Sequence, residues 1–390
     1  MANLFDYVFW RGDLDFEAFP FNPVDNVVFS QLSYLPMDGI VPGPGEKGSV
    51  SIAQLAKLYA EKLGAENSAQ KDAPKDIMAE AASAVLSAIG AAPRYMRCEI
   101  SGYVNRTDHD EEMQFSAFCA EIGGKSAAEK LLVVYRGTDA SFVGWKEDFN
   151  MSFVNSVPAQ KEAALYLDEA AGRFSRPLIL AGHSKGGNLA IYAAAFCGDN
   201  TRRRIEAVYS NDAPGFFPAV IQSDGYQAIC SRIRAFVPQS SFVGMLFEHG
   251  ESPQVVKSAA MGLFQHNMCN WEVAPNNLSV GEELTPQSQL VSSVIHEWMG
   301  KLGEQQRHKF TEALYKILVS SNANSFIDIG SDWPHAAAGI IGGLKNIDGP
   351  TKKLMGETLG ELFKTAKKNI IGRHRQREEE LWNADLLNEE

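Results

Sequence analysis

The residues with the clearest chemical meaning are Gly182, His183, Ser184, Lys185 and Gly186, which form a G-x-S-x-G motif. The apolar segment LILAG, typical of a buried strand, leads into the motif, and an alanine-rich segment typical of a helix follows it. A serine on such a tight turn adopts a strained backbone, so the residues two positions before and after it must be small. The pattern predicts a nucleophile elbow that exposes the serine hydroxyl beside the first N–H groups of a helix.

A nucleophilic serine also needs hydrogen-bond donors for the oxyanion that forms when it attacks a carbonyl group. The apolar segment KLLVVYRG at 130–137 ends immediately before Thr138. If this strand lies beside the elbow, the backbone N–H groups of Thr138 and Lys185 can hold the developing negative charge. The residues by themselves fit a purely structural strand and loop equally well.

Several segments resemble known lipases. The YRGT and W-x-x-D motifs between residues 135 and 148, followed by GHSKGG, resemble the lipase class 3 branch of the α/β-hydrolases. Residues 3–275, with DYVFWRGDLDF and SNDAPGF among their motifs, resemble a bacterial lipase-like family known mainly as a domain of unknown function. The resemblance implies that Ser184 is the nucleophile and that Thr138 belongs to the oxyanion hole.

The base of such a site is a histidine that follows the serine, because the triad of this fold runs serine, acid, histidine. His183 adjoins the serine, but successive side chains of a strand point to opposite sides. We predict His266 as the base, since it lies in the loop after an expected strand at 253–261. His249, which precedes that strand, is the alternative.

The acid is the least determined member of the triad. In class 3 lipases it follows the second strand after the elbow, where this chain has Ser240 and Ser241. We choose Asp212, after the first strand, because a carboxylate must accept the Nδ1–H of the histidine and the fold tolerates an acid on that strand end. Glu248 and a pair without an acid remain alternatives, and Asp212 could simply form an Asx-turn.

Alternating strand and helix signals surround these residues. The pattern predicts a hairpin over 96–122, buried strands at 130–137, 176–182, 205–211 and 232–238, and helices at 51–59, 77–89, 159–173 and 188–197. Residues 1–50 are rich in Phe, Pro, Asp and Gly, which favours a wrapped arm and loop. The alternation predicts an α/β-hydrolase fold, in which helices enclose a mixed, mostly parallel sheet.

Strand signals stop near residue 281. Helical spacing predicts further helices at 290–302, 310–319 and 355–371. We therefore expect an α/β-hydrolase core with its N-terminal arm at 1–280. The helical extension at 281–390 could cover the pocket as a lid.

The composition is that of an ordinary soluble globular protein, with 45% hydrophobic and 22% charged residues among 390. The 48 acidic and 36 basic residues give a net charge of −12, which disfavours nucleic-acid binding. The chain starts without a basic leader before an apolar run, and no apolar stretch reaches the ~18–20 residues that span a bilayer. Five scattered cysteines suit reduced thiols, so we expect a cytoplasmic protein without a transmembrane segment.

Together these features predict a serine hydrolase that cleaves an ester, thioester or acyl-lipid bond through an acyl-enzyme on Ser184. His266 would transfer the proton, Asp212 would orient His266, and the amides of Thr138 and Lys185 would bind the oxyanion. The expected partner is a small-molecule or lipid acyl substrate, and the chemistry needs no metal or organic cofactor. An acyltransferase with the same acyl-enzyme, or a non-catalytic binding protein on a hydrolase fold, remains an alternative.

Overall fold

The chain divides into two compact units, Met1–Leu284 and Thr285–Glu390. The computed structural model describes residues 2–66, 76–108, 110–123, 128–138, 147, 151, 156–281, 283–301, 306, 309, 349–350, 352–353 and 356–357. All strands of the described residues belong to the first unit, and the second contributes one described helix, Pro286–Lys301. The predicted helix at 310–319, and nearly all of that at 355–371, lie outside the described residues. The lid role of residues 281–390 stays a prediction.

The eight described strands form one sheet in chain order. They are β1 Val50–Ser51, β2 Glu99–Asp108, β3 Met113–Gly123, β4 Ala128–Tyr135, β5 Leu178–His183, β6 Ile205–Asn211, β7 Ile233–Pro238 and β8 Gln254–Val256. Strands β1 to β4 pair antiparallel, and β4 to β8 pair parallel. This mixed sheet with its helices confirms the α/β class. The strand expected at 253–261 is much shorter than predicted.

Helices flank the strands along the chain. They are α1 Leu4–Arg11, α2 Pro23–Leu32, α3 Ile52–Glu66, α4 Ile77–Ile89, α5 Pro158–Arg173, α6 Lys185–Phe196, α7 Asp199–Arg203, α8 Pro218–Ile221, α9 Asp224–Ile229 and α10 Pro286–Lys301. The helices predicted at 77–89 and 159–173 are confirmed nearly residue for residue. The helix after the serine begins three residues earlier than predicted, because it starts directly at the turn.

The first fifty residues contain two helices, so the prediction of an arm and loop was wrong for this segment. Both helices begin at an asparagine, Asn3 or Asn22, whose side chain accepts backbone N–H bonds of the first turn. Asp6 and Asp25 return the bond to the backbone N–H of the capping asparagine, which completes a capping box in each case. These N-x-x-D spacings were the available signal, and for α2 the neighbouring prolines Pro20 and Pro23 obscured it.

Two apolar layers hold the strand ends in place. In β4, Leu132 and Val134 pack with the layer that contains α1 to α4, whereas Leu131 and Val133 pack with α5 and α6. The continuous apolar run is therefore a strand buried on both faces, with side chains alternating between them. Each fully buried side chain of this size contributes about 1.5–3 kcal/mol. The central strands thus form a rigid platform for the residues that follow them.

Two further findings concern the helices and the cysteines. None of the helices in the described part of the chain is long and apolar enough to cross a membrane. All five cysteines are free thiols. Burial raises the pKa of Cys98 and of Cys197 to about 12, so these two thiols are poor nucleophiles.

Candidate active site

Ser184 lies on a strained turn between the end of β5 and the start of α6. Its φ of 55° and ψ of −133° fall in a region that residues with a side chain rarely adopt. A Cβ atom on Gly182 would lie 2.2 Å from the carbonyl oxygen of Gly186, and one on Gly186 would lie 2.2 Å from the carbonyl oxygen of Tyr135. Both glycines are required by packing, as the motif predicts. The serine itself is partly exposed.

Asp212 and His266 form a hydrogen-bonded pair next to this turn. The Ser184 N–H donates to the carbonyl oxygen of Asn211 at 2.9 Å, and Asp212 is the next residue. The Nδ1 atom of His266 donates to Oδ2 of Asp212 at 2.6 Å. The side chain of Asp212 is 1% exposed and that of His266 is 29% exposed. Because Nδ1 carries the hydrogen, Nε2 is left as the acceptor that a general base needs.

The second carboxylate oxygen of Asp212 is held by the loop that follows β7. Oδ1 accepts a hydrogen bond from the Ser241 hydroxyl and another from the Gly244 N–H at 3.1 Å. A Cβ atom on Gly244 would lie 2.4 Å from this oxygen, so only glycine allows the approach. Ser241 follows β7, where the resemblance to class 3 lipases led us to expect the acid. It binds instead the carboxylate of Asp212, which follows the neighbouring strand β6.

The main chain of His266 is fixed by a buried histidine. His183 Nε2 donates to the carbonyl oxygen of His266 at 2.8 Å, and the Tyr34 hydroxyl donates to His183 Nδ1 at 2.7 Å. Burial, with the proximity of His266, lowers the pKa of His183 well below its ordinary value, so the ring is neutral. A neutral imidazole has only one N–H, and the His266 carbonyl oxygen, which can only accept, requires it on Nε2, so Nδ1 accepts from the Tyr34 hydroxyl.

Gln265 fixes the short 3₁₀ turn that presents His266, Gly262–His266. Its Oε1 atom accepts from the Ser240 N–H at 2.7 Å, and its Nε2 atom donates to the Ala260 carbonyl oxygen at 2.9 Å. The indole N–H of the fully buried Trp271 donates to the Gln265 carbonyl oxygen at 2.8 Å. The position of the histidine thus depends on the loops at both ends of β8.

His183, the residue before Ser184, packs against His266. The ring centroids of His183 and His266 are 4.4 Å apart. The hydrogen bonds of the described residues do not include one between the Ser184 hydroxyl and His266. Hydrogen bonds of this kind are often long in ligand-free sites and shorten when substrate binds.

The two residues predicted to bind an oxyanion come from segments on either side of Ser184. A Cβ atom on Gly137 would lie 3.0 Å from the Cβ atom of Ser184, so Thr138 directly follows a residue that lies against the serine. Lys185 is the first residue of α6. The YRGT motif therefore adjoins the turn, whereas Trp145 and Asp148 lie outside the described residues.

The alternative base and acid have other partners. His249 Nδ1 lies 3.1 Å from Oε1 of Glu251. The main chain of Glu248 pairs with that of Phe216. Of the two candidate bases, it is His266 that contacts the Asp212 carboxylate.

The sequence does not predict four residues that support the site. They are Tyr34, His183, Ser241 and Gln265. Ser241 could have been found by asking what would bind the Asp212 carboxylate if that residue replaced the missing acid. Tyr34 left no signal, because 149 residues separate it from His183 and only the folded chain brings them together.

The fold and these contacts define an α/β protein with a strained serine turn beside a histidine–aspartate pair. The chain belongs to the Mbeg1-like family, whose model matches residues 89–316. The prediction of a lipase-like family is confirmed at this level, whereas the relation to class 3 and the bacterial origin stay predictions.

Among solved structures, the chain is similar to two lipases. It is 15% identical to the Rhizomucor miehei lipase in its propeptide complex, over 68% of this chain and 74% of that chain, with a TM-score of 0.35. It is 12% identical to the M37 lipase, over 57% of this chain and 69% of that chain, with a TM-score of 0.33. At TM-scores this low, neither lipase informs the geometry of the site. No curated protein matches the chain.

Proposed function

We propose that this protein is a serine hydrolase with an α/β-hydrolase fold. It cleaves a carboxylic ester, thioester or acyl-lipid bond through an acyl-enzyme on Ser184. The observation that carries the proposal is the 2.6 Å hydrogen bond between His266 and Asp212, located beside the strained turn that presents Ser184. A structural role for these residues would not require a strained serine next to an oriented imidazole.

In the proposed reaction, the Ser184 hydroxyl oxygen attacks the substrate carbonyl carbon while His266 Nε2 takes the hydroxyl proton. The backbone N–H groups of Thr138 and Lys185 donate to the resulting oxyanion. The intermediate collapses, the bond to the leaving group breaks, and His266 returns the proton to that group. Water then attacks the acyl-enzyme with His266 again as base, which releases the carboxylic acid and regenerates the serine.

Asp212 stabilises the imidazolium that forms in each half of this reaction. Its buried carboxylate has one oxygen on His266 and the other on two donors, the Ser241 hydroxyl and the Gly244 N–H. A carboxylate held in this way cannot rotate away from the imidazole. The histidine therefore keeps the tautomer that a base requires.

The test uses a fluorophosphonate probe and p-nitrophenyl esters of increasing chain length on the purified full chain. We expect covalent labelling of Ser184, and Ser184→Ala should lose labelling and at least about 10³-fold in hydrolysis. Ser231→Ala, at an exposed serine far along the chain, serves as the control. Equal labelling of Ser184→Ala, or an unlabelled wild type, would contradict the proposal and favour a binding protein.

The base is tested by comparing two histidine variants in the same ester assay. His266→Ala should lose at least about 10³-fold in kcat, because His266 is the proposed acceptor of the serine proton. His249→Ala should keep nearly all activity, since His249 contacts Glu251 and not Asp212. Full activity in His266→Ala would overturn the assignment of the base.

We also propose that the protein acts in the cytoplasm on a small-molecule or lipid acyl substrate. The five free thiols support this location, since secreted domains commonly pair their cysteines. Fractionation of cells that express a tagged full chain tests it. Recovery of the protein outside the cytoplasm would contradict it.

A further inference from the structure

The side chain of Lys185 is buried directly beneath the serine turn. It is 1% exposed, although lysine is among the residues that proteins bury least often. Its Nζ atom donates to Oε2 of Glu147 at 2.8 Å and to the carbonyl oxygen of Gln114 at 3.0 Å. A charged group therefore sits in the interior on the residue whose backbone N–H is assigned to the oxyanion.

Glu147 is fully buried and receives donors from three different elements. Oε2 accepts from Lys185 of α6 and from the Gln114 N–H of β3 at 3.0 Å. Oε1 accepts from the Ala159 N–H at 2.9 Å, in the first turn of α5. The Glu147 carboxylate thus connects α6, strand β3 and the N-terminal end of α5, where a negative charge is favourable.

Stability alone does not account for this pair. Removing two charges from water is costly, and apolar side chains of the same volume usually give a fold that is as stable or more stable. What a buried ion pair provides is directional geometry, since each charge must keep its partners or remain unsatisfied. The location of this pair, with Lys185 directly after Ser184 at the start of α6, indicates what is being held.

We propose that Lys185 and Glu147 form a buried ion pair that positions the Lys185 backbone donor of the oxyanion site. The pair fixes the first turn of α6, which carries the Lys185 N–H. The two side chains act as positioning groups and do not contact the substrate. The inference rests on the proposed function, because it assigns a role to the same oxyanion donor.

The test separates positioning from stability with a charge-neutral double variant. Lys185→Met alone leaves the Glu147 carboxylate buried without its cation, so both thermal stability and the rate of serine acylation should fall. Lys185→Met/Glu147→Gln has no uncompensated charge, so most of the stability should return. We expect its acylation by the fluorophosphonate probe and its kcat for p-nitrophenyl esters to stay about 10²-fold low, with KM nearly unchanged.

The matched control is an exposed ion pair of the same residue types. Lys130 and Glu206 are 2.7 Å apart, with side chains 37% and 45% exposed. Lys130→Met/Glu206→Gln should change neither stability nor acylation. Wild-type acylation and kcat in the Lys185→Met/Glu147→Gln variant would overturn the positioning role, because a purely structural pair predicts that both readouts recover together.

Hydrogen exchange keeps this inference distinct from the proposed function. Amide exchange is measured by mass spectrometry on a peptide that covers 182–190, in wild type and in both double variants. We expect faster exchange in this peptide only in the Lys185→Met/Glu147→Gln variant, whether or not the wild type hydrolyses esters. If the wild type is inactive and this exchange rises, the proposed function fails and the positioning survives. Unchanged exchange would refute the positioning.

Discussion

Asp212 shows how completely a single carboxylate can be constrained in this site. One oxygen accepts from His266, and the other accepts from the Ser241 hydroxyl and the Gly244 N–H. The side chain is 1% exposed, so no water competes for these bonds. Its φ of 46° is a further sign that the backbone is held where the contacts require it.

The first prediction concerns this carboxylate. Asp212→Asn should lower kcat for ester hydrolysis by about 10⁴-fold. The asparagine amide can hold the imidazole of His266 in the wrong tautomer, and it has no negative charge to stabilise the imidazolium. Ser241→Ala should lower kcat by about 10–100-fold through the loss of one hydrogen bond to a charged acceptor. Ser87→Ala, at an exposed serine of α4, is the control. Steady-state kinetics with p-nitrophenyl esters measure the effects, and a wild-type kcat in Asp212→Asn would exclude it as the acid.

His183 supports a prediction about stability and pH. Burial lowers its pKa well below the ordinary value of 6.5, so the folded protein keeps the ring neutral where the unfolded chain binds a proton. The free energy of unfolding should therefore decrease as pH falls below about 6.5, by up to ~1.36 kcal/mol per pH unit from this group.

Urea unfolding between pH 7.5 and 5 measures this effect. His183→Gln keeps a side-chain donor for the His266 carbonyl oxygen but does not titrate, so its stability should depend less on pH. Identical pH dependence in the two proteins would show that His183 does not contribute.

At the scale of the element, the serine turn depends on a close crossing between β5 and α6. Gly182 and Gly186 meet so closely that a Cβ atom on the first would lie 2.2 Å from the carbonyl oxygen of the second. Gly187 adds a second close contact, since its Cβ atom would lie 2.7 Å from that of Ala213. The close approach of α6 to the ends of β5 and β6 therefore depends on these glycines.

The close contact between Gly182 and Gly186 predicts a large difference in stability between two glycine variants. Gly182→Ala should lower the free energy of unfolding by about 3 kcal/mol, because backbone atoms must move to admit the methyl group. Gly172→Ala, in α5 with open space around its Cα atom, should raise it by about 0.5–1 kcal/mol. Chemical denaturation measures both, and a Gly182→Ala protein as stable as wild type would contradict the packing described for the turn.

Across the whole molecule, a buried cation just before β2 binds the N-terminal segment and α2. Arg94 is fully buried and donates to both carboxylate oxygens of Asp25, at 2.8 and 2.6 Å. It also donates to the carbonyl oxygens of Leu14 at 3.0 Å and Phe19 at 2.7 Å. The segment between α1 and α2 thus wraps around one guanidinium, and these residues belong to the core of the first unit.

The prediction at this scale compares two arginines. Arg94→Met should lower the free energy of unfolding by about 3–5 kcal/mol, because the Asp25 carboxylate stays buried without its cation. Arg106→Met removes an exposed ion pair with Glu162, whose side chains are 52% and 30% exposed, and should cost about 0–1 kcal/mol. Thermal and urea unfolding of the full chain measure both, and equal effects would show that the Arg94 network does not hold the fold together.

The sequence by itself determined the features that are local along the chain. Ser184 with Gly182 and Gly186 is a contiguous signal, because the strain of one turn restricts residues only two positions away. The same holds for the buried run of β4 and for α4 and α5, whose apolar spacing reflects one strand or one helix. Periodicity could not locate α1 and α2, since α1 is only eight residues long and the capping box of α2 lies among prolines that suggested a loop.

Only the tertiary structure decided which distant groups meet. Asp212 and His266 are 54 positions apart, and their hydrogen bond depends on how β6, β7 and β8 align at one edge of the sheet. Tyr34 contacts His183 from 149 positions away, and Glu147 contacts Lys185 from 38 positions away. Such contacts leave no local pattern, because hydrogen bonds between side chains are selected by position in the folded molecule and not by spacing along the chain.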